Sequence, residues 1–240
     1  MKLVLFGGGA MGRLVSMRAK DDGHEVSLVL TSRDSTRRVE ELGELLRGHE
    51  AAIDFSVADA VLANVTACVR AGVPIVEGTT GWNKHESGVR QIVEEHGGAL
   101  IYGANFSIGV NLFYGIVARA AELFQHLPDY APFIEEAHHS RKRDAPSGTA
   151  LRLRTLLASV GNDPPIASTR AGHIPGTHRV GFDSVSDQIT LTHMARSREG
   201  FAAGSLLAAR WIQGRKGTYE FSTMINEILN ERMKPNDNEC

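Results

Sequence analysis

Lys2-Leu3-Val4-Leu5-Phe6-Gly7-Gly8-Gly9-Ala10-Met11-Gly12-Arg13-Leu14 is the stretch on which the fold turns. Lys2 to Phe6 is an apolar run with β character; it meets three consecutive glycines, and apolar residues at helical spacing follow from Ala10 to Lys20. This reads as strand, tight turn and helix. Gly7, Gly9 and Gly12 form a GxGxxG pattern between the two elements. Backbone without side chains lets a pyrophosphate approach the amides at a helix N-terminus, where the helix dipole favours negative charge. A glycine-rich turn with packing duties alone would carry the same letters; the flanking strand and helix favour a dinucleotide.

Working outward, Glu25 to Leu30 and Ala51 to Phe55 are strand-like, and Ala58 to Ala71 is a helix that Gly72 closes. Val73 to Val76, Val89 to His96 and Ala99 to Tyr102 continue the alternation. Strands separated by helices imply βαβ crossovers and a parallel sheet, because a parallel connection needs a long return path. After Asn105 the pattern changes. Val110 to Phe124 is an apolar helix, Phe133 to Ala137 a strand, and Gly148 to about Val160 a helix, followed by His178 to Asp183 and Gln188 to His193, where polar and apolar residues alternate. Such alternation suits an antiparallel or mixed sheet with one covered face. The predicted class is α/β: a Rossmann-like dinucleotide-binding domain over residues 1–106 and a second α+β domain with a mixed sheet over 107–197. A C-terminal segment, 198–240, has helices Phe201–Ile212 and Phe221–Arg232 that pack back on the first domain. Its last residues, Lys234 to Cys240, read as a disordered end.

Composition narrows the function. Among 240 residues, 42% are hydrophobic, 22% charged and 8 are proline, which excludes a disordered polymer. The 26 Lys and Arg against 28 Asp and Glu give a charge of -2, arguing against a molecule-wide surface for nucleic acid or anionic membrane. Cys68 and Cys240 are the only cysteines, too few for a disulfide framework or a cysteine metal cage, so a reducing cytosol is expected. Neither a membrane-length apolar run nor a signal-peptide hydrophobic region is visible, so the expected location is cytoplasmic. Phe6, Phe113 and Trp211 read as core.

The end of the second strand bears on cofactor choice. An NAD-selective site carries an acid there to hold the ribose 2′-hydroxyl, but the strand ends Leu30-Thr31-Ser32-Arg33, and Asp34 comes late. Arg33, with Arg37, Arg38 and the hydroxyls of Ser32 and Ser35, would embrace a 2′-phosphate; a solvated basic turn is the alternative. The expectation is NADPH, with NADH also used.

Most chemistry per residue lies in Ile134-Glu135-Glu136-Ala137-His138-His139-Ser140-Arg141-Lys142-Arg143-Asp144-Ala145-Pro146-Ser147-Gly148-Thr149-Ala150. It leaves a strand with two histidines and a lysine, turns at Pro146 and enters a helix with Ser147 as N-cap. The amides of Gly148 and Thr149 then form an anion site. Neighbouring strand residues point to opposite faces, so His138 and His139 serve one pocket only if the strand ends there. Imidazole suits proton transfer near neutral pH, and Lys142 would hold a carboxylate or developing negative charge. Surface histidines in a basic loop are the bland alternative. For zinc, two adjacent histidines lack i,i+4 spacing and no cysteine joins them, so no metal is expected.

Taken with Glu77-Gly78-Thr79-Thr80-Gly81, Ala104-Asn105-Phe106-Ser107 running on to Gly109-Val110-Asn111, Arg170-x-Gly172, Gly176-x-His178 and Arg198 to Gly204, these motifs occur in an order that resembles the 4-hydroxy-tetrahydrodipicolinate (dihydrodipicolinate) reductase family of lysine biosynthesis, from Gly7 to Phe221. The resemblance implies a pyridine-nucleotide reductase, usually a homotetramer built through its second-domain sheets, using NADH, NADPH or both. By residue it implies cofactor contacts from Gly7, Gly9, Ala10, Met11 and Gly12, from Gly78, Thr79 and Thr80, from Ala104, Asn105 and Phe106, and from Arg198. His138 becomes the proton donor with Lys142 as partner, and His139, Gly148 and Thr149, beside Ser147, bind the carboxylates of a small cyclic dicarboxylate. Two departures stand out: Ala10 where many relatives have arginine, and Arg143 where a small apolar residue is expected. A related reductase of another amino or imino acid would leave the two-point anion site half used. A non-catalytic nucleotide sensor would have no need of His138 and Lys142.

Overall fold

The structure is a computed structural model that describes residues 1–34, 37–161 and 163–233. Ser35 and the tail 234–240, both named above, lie outside the described residues. The chain divides into two compact units, one of residues 1–108 with 198 onward, the other of residues 109–197.

In the first unit the elements run β1 (Lys2–Phe6), α1 (Ala10–Asp21), β2 (Glu25–Leu30), α2 (Val39–Leu46), β3 (Ala51–Asp54), α3 (Val61–Arg70), β4 (Ile75–Glu77), α4 (Glu86–Glu95) and β5 (Ala99–Tyr102). Then comes α5 (Ile108–Phe124), which carries the chain into the second unit with β6 (Ala131–His138), α6 (Gly148–Ala158), β7 (Ile166–Arg170), β8 (Thr177–Asp183) and β9 (Gln188–Met194). The chain returns through α7 (Glu199–Trp211), β10 (Gly217–Glu220) and α8 (Phe221–Met233).

The first sheet has the order β10-β5-β4-β3-β1-β2, and every pairing is parallel. Both its faces are covered, and the two-residue period of a strand divides the side chains between them. Leu3, Leu5, Ile53 and Ile101 face α1, α7 and α8 through Val15, Leu206 and Met224. Val4, Ala52, Ile75 and Leu100 face α2, α3 and α4 through Leu42, Val65 and Val93. The C-terminal helices therefore complete one apolar layer of the first unit. Phe6 is buried in the opposite layer, with Val4 and Ala52; Trp211 is only half-buried, with the Arg215 guanidinium 3.7 Å over its ring.

In the second unit the order is β7-β6-β8-β9, with β6–β7 parallel and the other two pairings antiparallel, a mixed sheet. One face is packed by α5 and α6, where Phe113, Val117, Leu153 and Leu157 meet Ile134, Val180 and Phe182. Three elements were not anticipated from sequence. Helix α2 contains Gly43, a poor helix former. Strand β7, Ile-Ala-Ser-Thr-Arg, shows no apolar alternation, and β10 is a four-residue edge strand whose partner β5 is far away in sequence.

Candidate active site

Parallel strands put their carboxyl ends at one edge. The last row of the first sheet is Leu30, Phe6, Asp54, Glu77, Tyr102 and Glu220, each the register partner of the next. The residues that follow, Thr31, Gly7, Phe55, Gly78 and Gly103, therefore form one rim. Order reverses beside β1, which lies between β2 and β3, and such a switch point is where open parallel sheets bind ligands.

The glycines there are required by close approach. Gly7 has φ of +100°, and a Cβ on it would meet the Phe55 carbonyl oxygen. On Gly12 it would run into the Gly7 carbonyl oxygen, and on Gly78 into the Phe55 ring. Gly9, by contrast, is exposed, has nothing within 4 Å of a Cβ position and is the N-cap of α1 without any side-chain cap. The orphan amides of a helix start are thus left open beside a tight turn, which fits a pyrophosphate. Ala10 is exposed and Met11 half-buried.

Beneath the rim lies a buried polar network. Asp54 and Glu77 have no exposed surface. The Thr79 amide donates to Glu77 Oε1 at 2.7 Å and its hydroxyl to Asp54 Oδ1 at 3.2 Å; the Ser56 amide and Asn64 Nδ2 also donate to Asp54, each at 2.7 Å. Glu77 Oε2 has no partner among the described residues. Burial holds both carboxyls above the ordinary range, Glu77 further because of the Asp54 charge on the next strand. The proton-bound forms of both are therefore favoured relative to free carboxyls. Thr79 is committed to this network, while Thr80 is exposed on the loop it anchors.

Phe106 is 1% exposed, edge-on to Phe55 and packed on Phe221. The Asn105 side chain accepts the Ser107 amide at 2.9 Å, and Ala104 is exposed beside it. At the end of β2, Asp34 turns inward. Its carboxylate accepts from the Thr31 amide at 2.9 Å and from Arg37 at 3.0 Å, which holds its pKa below the usual value. Arg38 pairs with Glu41. Arg33 is exposed, and no described acid pairs with its guanidinium. Arg198 is exposed at the start of α7.

In the second unit β6 ends at His138, the condition for both histidines to serve one side of the loop. Glu136, two residues earlier and on the same strand face, is 3% exposed and gathers its neighbours. Its Oε2 lies 2.5 Å from His138 Nδ1, and its Oε1 accepts from Arg170 Nη2 at 2.6 Å and from the Ser147 amide at 3.3 Å. Arg170, on β7, also donates to the Asp144 carbonyl, tying the loop down. Burial alone would raise the Glu136 pKa, but hydrogen bonds from Arg170 and Ser168 and the charges of Arg170 and His138 carry it down to about 2. His138 is lowered by burial against the raising influence of Glu136, with Lys142 and Arg170 adding to the fall. Lys142 Nζ is 2.8 Å from Asp144.

Ser147 caps α6 as expected: its Oγ accepts the Ala150 amide at 3.2 Å and lies 3.0 Å from His178 Nε2. Both its hydroxyl and its amide are thus committed, whereas the Gly148 and Thr149 amides start the helix without a partner among the described residues. Burial raises the pKa of the Tyr114 phenol, against a lowering influence from the Thr149 side chain. His139 is half-buried, and its Nδ1 lacks a partner among the described residues. Arg143 is exposed.

Glu136, Arg170 and His178 were not chosen from sequence as site residues, although the last two lie within motifs that carried the resemblance. Strand period was the available signal for Glu136, since i and i+2 share a face. Ligand atoms of Glu136, His138 and His178 lie within 4.8 Å of one another, a grouping the His138–His139 spacing does not suggest. The Arg170 guanidinium at 2.6 Å from the same carboxylate opposes a cation there.

Fold and cradle together define a class, the Rossmann-type pyridine-nucleotide oxidoreductases with a mixed-sheet second unit. The N-terminal profile of dihydrodipicolinate reductase matches residues 1–106 and its C-terminal profile residues 109–225. The chain belongs to the dihydrodipicolinate reductase family. It is 34% identical to 4-hydroxy-tetrahydrodipicolinate reductase of Christiangramia forsetii over 95% of this chain and 99% of that one. Identity to the enzyme of the same name from Xanthomonas campestris is 35%, over 94% and 98%. A solved structure, dipicolinate-bound dihydrodipicolinate reductase from Paenisporosarcina sp. TG-14, matches with a TM-score of 0.76 across 93% of this chain and 99% of its own, at 20% identity.

Proposed function

We propose that the chain catalyses the NAD(P)H-dependent reduction of (2S,4S)-4-hydroxy-2,3,4,5-tetrahydrodipicolinate to tetrahydrodipicolinate with loss of water, the reductase step of the diaminopimelate route to lysine. The observation that carries this reading is the segment from His138 to Thr149, which sets an imidazole, an amine and two helix amides without a partner among the described residues on one scaffold. Relatives of the same name cover nearly the whole chain, and a structural neighbour binds dipicolinate, a ring dicarboxylate.

The open amides at Gly9 to Gly12 hold the pyrophosphate, and Arg33, which pairs with no described acid, takes a 2′-phosphate, so NADPH is preferred over NADH. Gly78 to Thr80 and Ala104 to Phe106 flank the nicotinamide, the side chain of Thr79 and the ring of Phe106 acting from below; Arg198 contributes from the start of α7. The bound nicotinamide supplies a hydride. Within the second unit, the Gly148 and Thr149 amides bind one carboxylate, and His139 with Lys142 binds the other. Lys142 has three donors, of which Asp144 occupies one. Ser147 serves by capping the helix. Hydride arriving at one ring carbon leaves electron density on its neighbour, and His138 gives that carbon a proton. The working form is a homotetramer in the cytoplasm, with neither nucleic acid nor membrane as partner; among the described residues no helix is long and apolar enough to cross a membrane.

The test mixes purified protein with freshly generated hydroxy-tetrahydrodipicolinate and follows NADPH and NADH oxidation separately. Turnover is expected with both and faster with NADPH at low concentration. No oxidation of either would remove the assignment.

A further inference from the structure

Proton donation by one histidine leaves a question of which ring nitrogen does it. An imidazole has two, and the partner of one decides the role of the other. His138 Nδ1 faces a carboxylate that is buried and ionised, with Arg170 and the Ser147 amide occupying its second oxygen. Such a carboxylate only accepts, so Nδ1 must carry hydrogen in either charge state of the ring. The other edge is bounded by Gly176, in the loop before β8. A Cβ built there would stand 3.1 Å from His138 Nε2 and 3.2 Å from Cδ2.

We infer that Glu136 is a positioning residue that fixes His138 in the Nδ1–H tautomer, while Gly176 keeps the Nε2 edge clear, so that the proton given to the substrate leaves from Nε2. The step balances. The Nε2–H bond of the imidazolium breaks as a C–H bond forms at the carbon beside the one that received hydride. The ring is left neutral with Nδ1–H still bonded to Glu136, and water restores the proton. The inference rests on the reading of His138 as donor and adds to it the atom and the group that selects it.

The charged and titratable groups around this ring are Glu136 on its own strand, Lys142 in the following loop, Arg170 on β7 and His178 on β8, whose ring centroid is 5.1 Å away. Glu136 alone among them favours the imidazolium. In Glu136→Gln, Arg170 and the Ser147 amide, both donors, claim the amide oxygen, and the NH2 turns to Nδ1. The tautomer is then inverted, and protonation at Nδ1 is opposed.

Nitrogen-15 NMR of histidine-labelled protein reads the tautomer without substrate or cofactor. The wild-type neutral ring is expected as Nδ1–H, and that of Glu136→Gln as Nε2–H. In steady-state assays, Glu136→Gln should lose about 10²-fold or more in kcat with KM for NADPH unchanged. The limb of its pH profile that marks loss of imidazolium should move to lower pH. Gly176→Ala should keep the tautomer but lower kcat at least about tenfold. A wild-type ring found as Nε2–H, a Glu136→Gln kcat within about twofold of wild type, or an unaffected Gly176→Ala would overturn the inference. If Glu136→Gln fails to fold, the wild-type spectrum and Gly176→Ala still decide it. Absence of turnover by wild type would instead remove the functional reading and leave the tautomer result standing.

Discussion

His178 offers a measurement of what burying an imidazole costs in this fold. It is 5% exposed on β8, and burial, together with the charge of His138, carries its pKa from the ordinary 6.5 to about 4. The geometry agrees, because Ser147 Oγ already accepts the Ala150 amide and can give its own hydrogen to a neutral Nε2 at 3.0 Å. For a base whose folded pKa is depressed, the unfolded chain binds more protons between the two values. Stability is then complete above about 6.5 and is lost as pH falls toward 4. A gap of that size corresponds to about 3 kcal/mol. Glu136 also loses stability in acid, but in a lower window, between 4.5 and about 2.

The perturbation is therefore His178→Gln, which keeps an acceptor for Ser147 and cannot titrate. The assay is a urea series at several pH values, followed by hydrogen exchange of α6 peptides, since both tryptophans, Trp82 and Trp211, lie in the other unit. Between pH of about 6.5 and 4 the variant should lose about 3 kcal/mol less stability than wild type. Curves that stay parallel to within about 1 kcal/mol would refute the argument that this ring is held neutral.

Other outcomes follow from the same structure. Asp54 and Glu77 have raised pKa values, so their contribution is complete below the ordinary carboxylate range and fades as pH rises. Glu77→Gln, which can still accept the Thr79 amide and donate to Asp54, should flatten the alkaline fall in thermal stability. An unchanged slope would show that the pair holds no proton. Arg33→Ala should raise KM for NADPH about tenfold or more and leave KM for NADH nearly constant; equal changes would defeat the 2′-phosphate assignment. Leu153→Ala, in the α6 core against β6 and β8, should cost about 2–5 kcal/mol in denaturant titrations, and a loss below about 1 kcal/mol would mean the site collapses around the missing atoms.

Much of the architecture was legible because it is written in short-range patterns. The βαβ alternation, the glycine turn and the Ser147 cap each depend on spacings of two to four residues, and all three stand in the structure close to where the letters put them. Elements that escaped had weak local signals. β10 is four residues long and exists as a strand only through its partner β5, and β7 lacks the apolar alternation that marks a covered face. The His138 to Thr149 segment was equally legible as a list of chemical groups. Its organisation was not.

Residue order alone determined which units form and which side chains have the chemistry for binding anions and moving a proton. Only the tertiary structure decided how those groups are held. Glu136 gains its role from Arg170, 34 residues on, and from the Ser147 amide; Asp54 and Glu77 have raised pKa values because two strands lie side by side under a covered sheet. Burial and ion pairing are properties of neighbours in space, and a titratable group takes its pKa and its tautomer from those neighbours rather than from its place in the chain.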